Sequence, residues 1–273
     1  MLPVITVDDL LEDVSENGFR HDRLHRSPEP PGDDMPATTP RPWTVTTPVT
    51  LEKLEPNLWC IDSPVPGIPG LNRRMSIVKL SDGRLVFHNA VPMDEAQEKE
   101  VTAWGIPAFL VVPHGAHKTD AHAFAKRFEL KVICPAAAKR KVSTVVEVDG
   151  HFDLLPKDSA LEASPLDGVK NGEHVLVAHH AGKGASAIVC DAIGNVRHGS
   201  GLRGLMFRLL GFTGPEPKVL PVWKLRALAD PKALRHCLEK IAATPQLLRL
   251  VPSHGGIVTD DPAGAIRRAV ATL

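Results

Sequence analysis

The sequence predicts an α/β fold built from layers, with mixed sheets. Three observations carry that expectation. Short apolar runs alternate with amphipathic stretches along most of the chain. Two pairs of β-rich runs are joined by turn residues and read as hairpins, which a purely parallel doubly wound sheet would not contain. Three apolar runs end in polar loops bearing His or Asp: Ala108–Val112 before His114, Ala187–Cys190 before Asp191, and Leu248–Val251 before His254. In α/β proteins the carboxyl ends of strands are where ligands and acid/base groups gather.

The elements follow in order. Residues 1–42 read as an N-terminal extension. Asp8–Val14 has the makings of one short helix, and Arg26–Arg41 is rich in proline and charge without apolar periodicity. The globular pattern covers residues 43–273. Val49–Asp62 reads as one or two strands around Pro56. Arg74–Phe87 reads as a hairpin turning at Ser81-Asp82-Gly83. Pro92–Trp104 is a helix with Asp94 and Glu95 at its start. After the strand Ala108–Val112, a helix begins at Thr119 or Asp120 and places Ala121, Phe124, Ala125 and Phe128 on one face. Lys131–Cys134 is a short buried strand, and the β-branched run Val142–Val148 reads as another. Asp167–Asn195 reads as a second hairpin. Residues 197–229 form a long, partly helical excursion. Asp230-Pro231 and Asp261-Pro262 each start a helix by an N-cap followed by proline at the first helical position. Leu248–Val251 is the strand between them.

Composition narrows the function. Thirty-two basic residues balance thirty-two acidic ones over 273 positions. Formal neutrality argues against a partner that needs a basic face, whether nucleic acid or an anionic membrane. The local run Lys139–Lys141 reads as solvated surface. Cys60, Cys134, Cys190 and Cys237 form neither CxxC nor a zinc-finger spacing, and Cys134 and Cys190 read as buried small hydrophobes. The acidic N-terminus is no signal peptide, and no apolar run is long enough to span a bilayer, so a cytoplasmic location is the default expectation. There is no G-x-S-x-G, P-loop or G-x-G-x-x-G motif.

The chemistry-bearing residues are histidines and aspartates at strand ends. His117 and Asp120 lie three apart at a strand–helix junction, where imidazole and carboxylate suit Zn²⁺ or Fe. Asp120 also reads as a plain N-cap. Asp191 follows a buried strand and needs a charge partner. His254 lies in Pro-Ser-His-Gly-Gly, where glycines permit close backbone approach. His88, after a strand, and His198, near Asp191 in sequence, are reserve ligands. His114 and His122 are weaker candidates, and the pair His179–His180 reads as exposed.

This order of elements resembles the metallo-β-lactamase-like fold: an opening hairpin, a helix, a strand ending in a His/Asp loop, a later strand ending in Asp, and a terminal strand ending in His-Gly before a last helix. The resemblance covers about residues 45–273 and implies an αββα sandwich with a metal site at one edge of two mixed sheets. The family motif H-x-H-x-D-H is replaced by His-Gly-Ala-His-Lys-Thr-Asp-Ala-His (114–122). With Asp120 in the motif aspartate's place, Ala116, Lys118 and Ala121 fall where histidines belong. Asp191 matches the bridging aspartate, His254 matches the last histidine, and His88-Asn89 replaces the early aspartate. The chain therefore resembles a degenerate bacterial branch in which the central motif reduces to one His and one Asp.

Two functions follow as expectations. One is a metal-dependent hydrolase with a reduced mononuclear site, in which one Zn or Fe ion is held by residues drawn from His117, Asp120, Asp191, His254, His88 and His198, with Asp120 and His117 as the catalytic pair. The other is a non-catalytic member of the fold that binds a small molecule or a partner without metal. A redox or dioxygenase-type His/Asp site is a third arrangement of the same ligands. If a metal binds, at least three of the six residues should bring ligand atoms within roughly 4 Å of one point.

Overall fold

The computed structural model describes residues 39–273 except 67, 69 and 210. The expected helix at Asp8–Val14 and most of the expected extension lie outside the described residues. Residues 39–42 form neither helix nor strand.

The first sheet has six strands in sequence order. β1 (Thr50–Glu55), β2 (Leu58–Pro64), β3 (Asn72–Lys79) and β4 (Arg84–His88) form an antiparallel meander. The chain then crosses through helix α1 (Glu95–Trp104) to β5 (Ile106–Val111), parallel to β4, and through α2 (Ala121–Phe128) to β6 (Lys131–Ile133), parallel to β5. The second sheet has the order β10-β9-β8-β7, from β7 (Leu161–Pro165), β8 (His174–His180), β9 (Gly184–Val189) and β10 (Leu247–Pro252). Only β10 runs parallel to its neighbour, β9. Both sheets are mixed.

Alternation along the strands makes four layers. Val86, Phe109, Val111 and Cys60 of the first sheet meet Leu176, Ala178, Ile188 and Val251 of the second in the middle layer. The opposite face of the first sheet sets Ile61, Met75, Ile77, Phe87 and Leu110 against Phe124 of α2 and Val101 of α1. The opposite face of the second sets Val175, Val177, Ala187 and Val189 in one cluster with Leu234, Leu238 and Ile266. Those three lie on helices α6 (Pro231–Ala242) and α7 (Pro262–Val270). The architecture is the αββα sandwich. Among the described residues no helix is long and apolar enough to cross a membrane.

Local chemistry explains the boundaries. Asp94 and Gln97 form a reciprocal capping box on α1. The Asp230 carboxylate accepts from the amides of Lys232 and Ala233, and Asp261 from Gly264, each with proline at the first helical position. The β3–β4 hairpin turns through Gly83 at φ +87°. Two expectations change. Val142–Val148 is not a strand: α3 (Lys139–Val142) runs into turns, with Val145 and Val146 amides both returning to the Val142 carbonyl. Val142, Val145 and Val146 are buried, a three-and-four spacing that lets one helical face cover the core despite β-branching. The sequence reading also lacks β7, a short edge strand that pairs with β8.

Candidate metal centre

The parallel pairs β4–β5 and β9–β10 bring four carboxyl ends to one edge of the sandwich. They deliver His88, the His114–His117 turn, Cys190-Asp191 and His254. Ligand atoms of His114, His117, Cys190 and Asp191 all lie within 4.8 Å of one another, a group that could hold a metal ion.

Asp191 is the hub. Its Oδ2 lies 3.0 Å from His114 Nε2. Its Oδ1 lies 3.4 Å from His117 Nε2 and 3.4 Å from His254 Nε2. Oδ1 is buried and makes no hydrogen bond. Burial alone would raise the Asp191 carboxyl, but the His117 and His114 imidazoles outweigh it and hold the group well below the usual carboxylate range. Cys190 Sγ lies 3.6 Å from His114 Nε2, and burial pushes its thiol far up.

The histidines differ in what their other nitrogen does. His254 Nδ1 lies 2.7 Å from the Asn72 carbonyl and so donates its proton there. Its neutral ring therefore presents a bare lone pair at Nε2. Burial keeps it neutral by lowering its pKa. His114 Nδ1 accepts from the Ala116 amide at 3.3 Å, capping the short turn Gly115–His117, so its Nε2 carries the proton donated to Asp191. His88 is fully buried, with Nδ1 unpartnered. Burial, then the neighbouring His117 and His114, push its pKa down to about 3.

Two braces hold these loops. Asn72 on β3 clamps the His254 loop: its Oδ1 accepts from the Gly255 amide at 2.7 Å and its Nδ2 donates to the Gly255 carbonyl. Gly255 has φ +88°, and a Cβ there would sit 1.9 Å from the Asn195 carbonyl oxygen, so only glycine fits. Glu173 is fully buried and accepts from the amides of Cys190 at 2.9 Å and Ala192 at 3.1 Å through Oε1, while Oε2 has no partner. Burial, then the Asp191 charge, raise its pKa to about 8.

The expected residues are thus only partly brought together. His117, Asp191 and His254 converge, with His88 close behind. Asp120 does not join them. Its fully buried carboxylate ion-pairs with Arg73 and lies 3.7 Å from Arg41, so two guanidiniums already supply its counter-charge. It makes no side-chain bond as an N-cap either. His198 bonds Thr213 Oγ1 at 2.8 Å within the 197–229 excursion, away from the group. His122 is half-buried on α2. His180, expected at the surface, is buried. The sequence reading underweighted His114 and treated Cys190 only as a hydrophobe. It missed Asn72 and Glu173, which lie far away in sequence and carry no local signal.

Comparison with known proteins agrees with this architecture. The fold is similar to that of the metallo-β-lactamase DIM-1, with a TM-score of 0.57 at 12% identity over 84% of this chain and 99% of that one. It is also similar to TMB-1, at 0.54 and 14% over 82% and 97%, and to FIM-1 from Pseudomonas aeruginosa, solved in a mono-zinc form, at 0.54 and 13% over 84% and 98%. No family model and no curated protein matches the sequence. The chain has the metallo-β-lactamase-like fold.

Proposed function

We propose that the protein is a metal-dependent hydrolase of a small-molecule substrate, with one ion held by His117, Asp191 and His254. The observation that carries this reading is the contact between Asp191 Oδ1 and His254 Nε2. A carboxylate oxygen without a hydrogen bond faces a nitrogen lone pair at 3.4 Å, with His117 Nε2 at the same distance. Two acceptors this close, one of them buried, repel unless a cation lies between them. Ligands about 2.05 Å from a tetrahedral Zn²⁺ stand about 3.3 Å apart, close to both separations.

Three protein ligands would match the ligand count of catalytic rather than structural zinc. A bound Zn²⁺ would supply Lewis acidity and a water whose pKa falls towards about 7, enough to hydrolyse an ester, amide or phosphoester. In this reading the chain's residues divide the remaining work. His114 donates to Asp191 Oδ2 and so presents Oδ1 to the ion. The Asn72 carbonyl fixes the His254 tautomer. Cys190 and His88 close the buried side, the latter as a neutral ring that adds no positive charge. Arg73 and Arg41 on Asp120 disfavour a second cation at the motif aspartate, which supports one ion rather than two. Two histidines and one carboxylate also suit non-haem Fe(II), so the identity of the ion separates hydrolysis from oxygen chemistry. The functional unit is taken as residues 43–273, with 1–42 as an extension.

The test is elemental analysis of protein purified without chelator, alongside the H117A/D191A double variant. Near-stoichiometric Zn lost in the variant supports the hydrolase. No metal after incubation with Zn²⁺, Fe²⁺ or Mn²⁺ would instead mean a fold that binds its ligand without catalysis.

A further inference from the structure

The 197–229 excursion takes no part in the metal centre, yet it concentrates two properties. Among the described residues, six large hydrophobic side chains are exposed, and five lie here: Leu202, Leu205, Met206, Leu209 and Leu225. The first four recur at helical spacing on α4 (Gly201–Leu209), and their exposures run from 44% to 83%. Leu225, 81% exposed, lies on α5 (Pro221–Ala227). The two helices adjoin: a Cβ on Gly211, just past α4, would sit 2.8 Å from the ring of Pro221, the first residue of α5. Such an apolar stripe on a solvent face marks an interaction surface.

The second property is charge. Residues 192–229 contain six basic residues, Arg197, Arg203, Arg208, Lys218, Lys224 and Arg226, against one acid, Glu216. The difference of six and one is a net charge of +5 within a chain of formal net charge zero. Glu216 is itself matched by Arg268. Arg197, Lys218 and Lys224 bond neutral carbonyls of Pro215, Thr213 and Thr272 rather than carboxylates, so their charges are not neutralised.

We propose that the α4–α5 face docks on an anionic phospholipid surface. An apolar stripe flanked by Lys and Arg, without acids, is the pattern of a helix that lies in the bilayer interface. The leucines and Met206 enter the acyl boundary while the basic side chains meet lipid phosphates. A nucleic acid would use the charge but not the exposed leucines. A two-fold contact between copies would set one +5 surface against another. Whole-chain neutrality conceals this face because the balancing acids lie elsewhere. The proposal is independent of the metal reading and needs no bound ion.

The test is co-sedimentation of the full chain with vesicles of phosphatidylcholine and phosphatidylglycerol (7:3), and with phosphatidylcholine alone. Binding is expected to be at least tenfold tighter to the anionic vesicles and to weaken in 0.5 M NaCl. R208E/R226E should weaken it further, by roughly fivefold for each positive charge removed. L205E/L209E should abolish it without changing the thermal unfolding midpoint, since both side chains are exposed. No sedimentation with anionic vesicles would overturn the proposal, as would undiminished binding by L205E/L209E. A lipid-free dimer in sedimentation velocity that the same pair dissolves would overturn it too, by assigning the face to a second copy.

Discussion

Two aspartates, the buried Asp120 and the partly buried Asp191, sit close to one histidine-bearing loop and meet the cost of a desolvated charge in opposite ways. Asp120 takes its counter-charge from Arg73 and Arg41, which are always cationic. Asp191 faces only imidazoles, although Oδ1 of each aspartate is left without a hydrogen bond. Asp120 is held by permanent cations, and Asp191 by titratable imidazoles alone, beside which a metal ion can join it. The same contrast separates the histidines. His180 is buried with both nitrogens matched by neutral partners, Asn57 Oδ1 at 2.7 Å and Ser186 Oγ at 2.8 Å, and it ties β8 to β9 and to the turn after β1. His254 satisfies Nδ1 on a carbonyl and leaves Nε2 facing a carboxylate. Burial of a His or Asp says little about function; what separates Asp191 from Asp120 is that no permanent cation stands beside it.

The sharpest way to break this comparison is to neutralise each aspartate. Asp191→Asn should abolish measurable zinc binding, a loss beyond the roughly 10–100-fold typical of outer partners. Its apo form should lose less stability than Asp120→Asn does: the charge that the His114 and His117 imidazoles favour is removed, but the new amide can donate to the His254 Nε2 lone pair. Asp120→Asn should do the reverse: zinc binding retained and urea stability reduced by about 3–5 kcal/mol, because Arg73 is left buried without its partner. Equal behaviour of the two variants in both assays would remove the distinction.

A smaller effect is expected at Glu173. Glu173→Ala should weaken zinc by about 10–100-fold, because the amides of Cys190 and Ala192 lose the acceptor that fixes the Asp191 turn. Glu173→Gln keeps an acceptor oxygen and should recover most of that loss, and the Co²⁺ absorption spectrum should follow the same order. Ser186→Ala should have the smallest effect: about 1–2 kcal/mol of stability from an unmatched His180 nitrogen, with zinc affinity unchanged. Urea titration beside a zinc competition assay reads both.

Much of the layered fold and the position of the site were legible in the sequence, for a local reason. Apolar runs that stop at Pro113, Asp191 and Pro252 announce strand ends, and the residues that follow them fall at one edge. The capping aspartates before Pro231 and Pro262 mark two helices in the same local way. What was not legible depends on distance. Whether Asp120 or Asp191 carries the unmatched charge is decided by Arg73, forty-seven positions before Asp120. The Asp191 turn is braced by Glu173, and the His254 tautomer by Asn72, 182 positions away. Val142–Val148 misleads because β-branching signals a strand while its burial follows a helical spacing. Net neutrality conceals the basic α4–α5 face because charge totals carry no positions.

The most direct measurement is the zinc stoichiometry and affinity of the wild-type chain beside Asp191→Asn and Asp120→Asn, by competition with a chromophoric chelator. The account predicts one Zn²⁺ per chain in the wild type and in Asp120→Asn, and none in Asp191→Asn. Binding that survives Asp191→Asn, or is lost instead in Asp120→Asn, would contradict it.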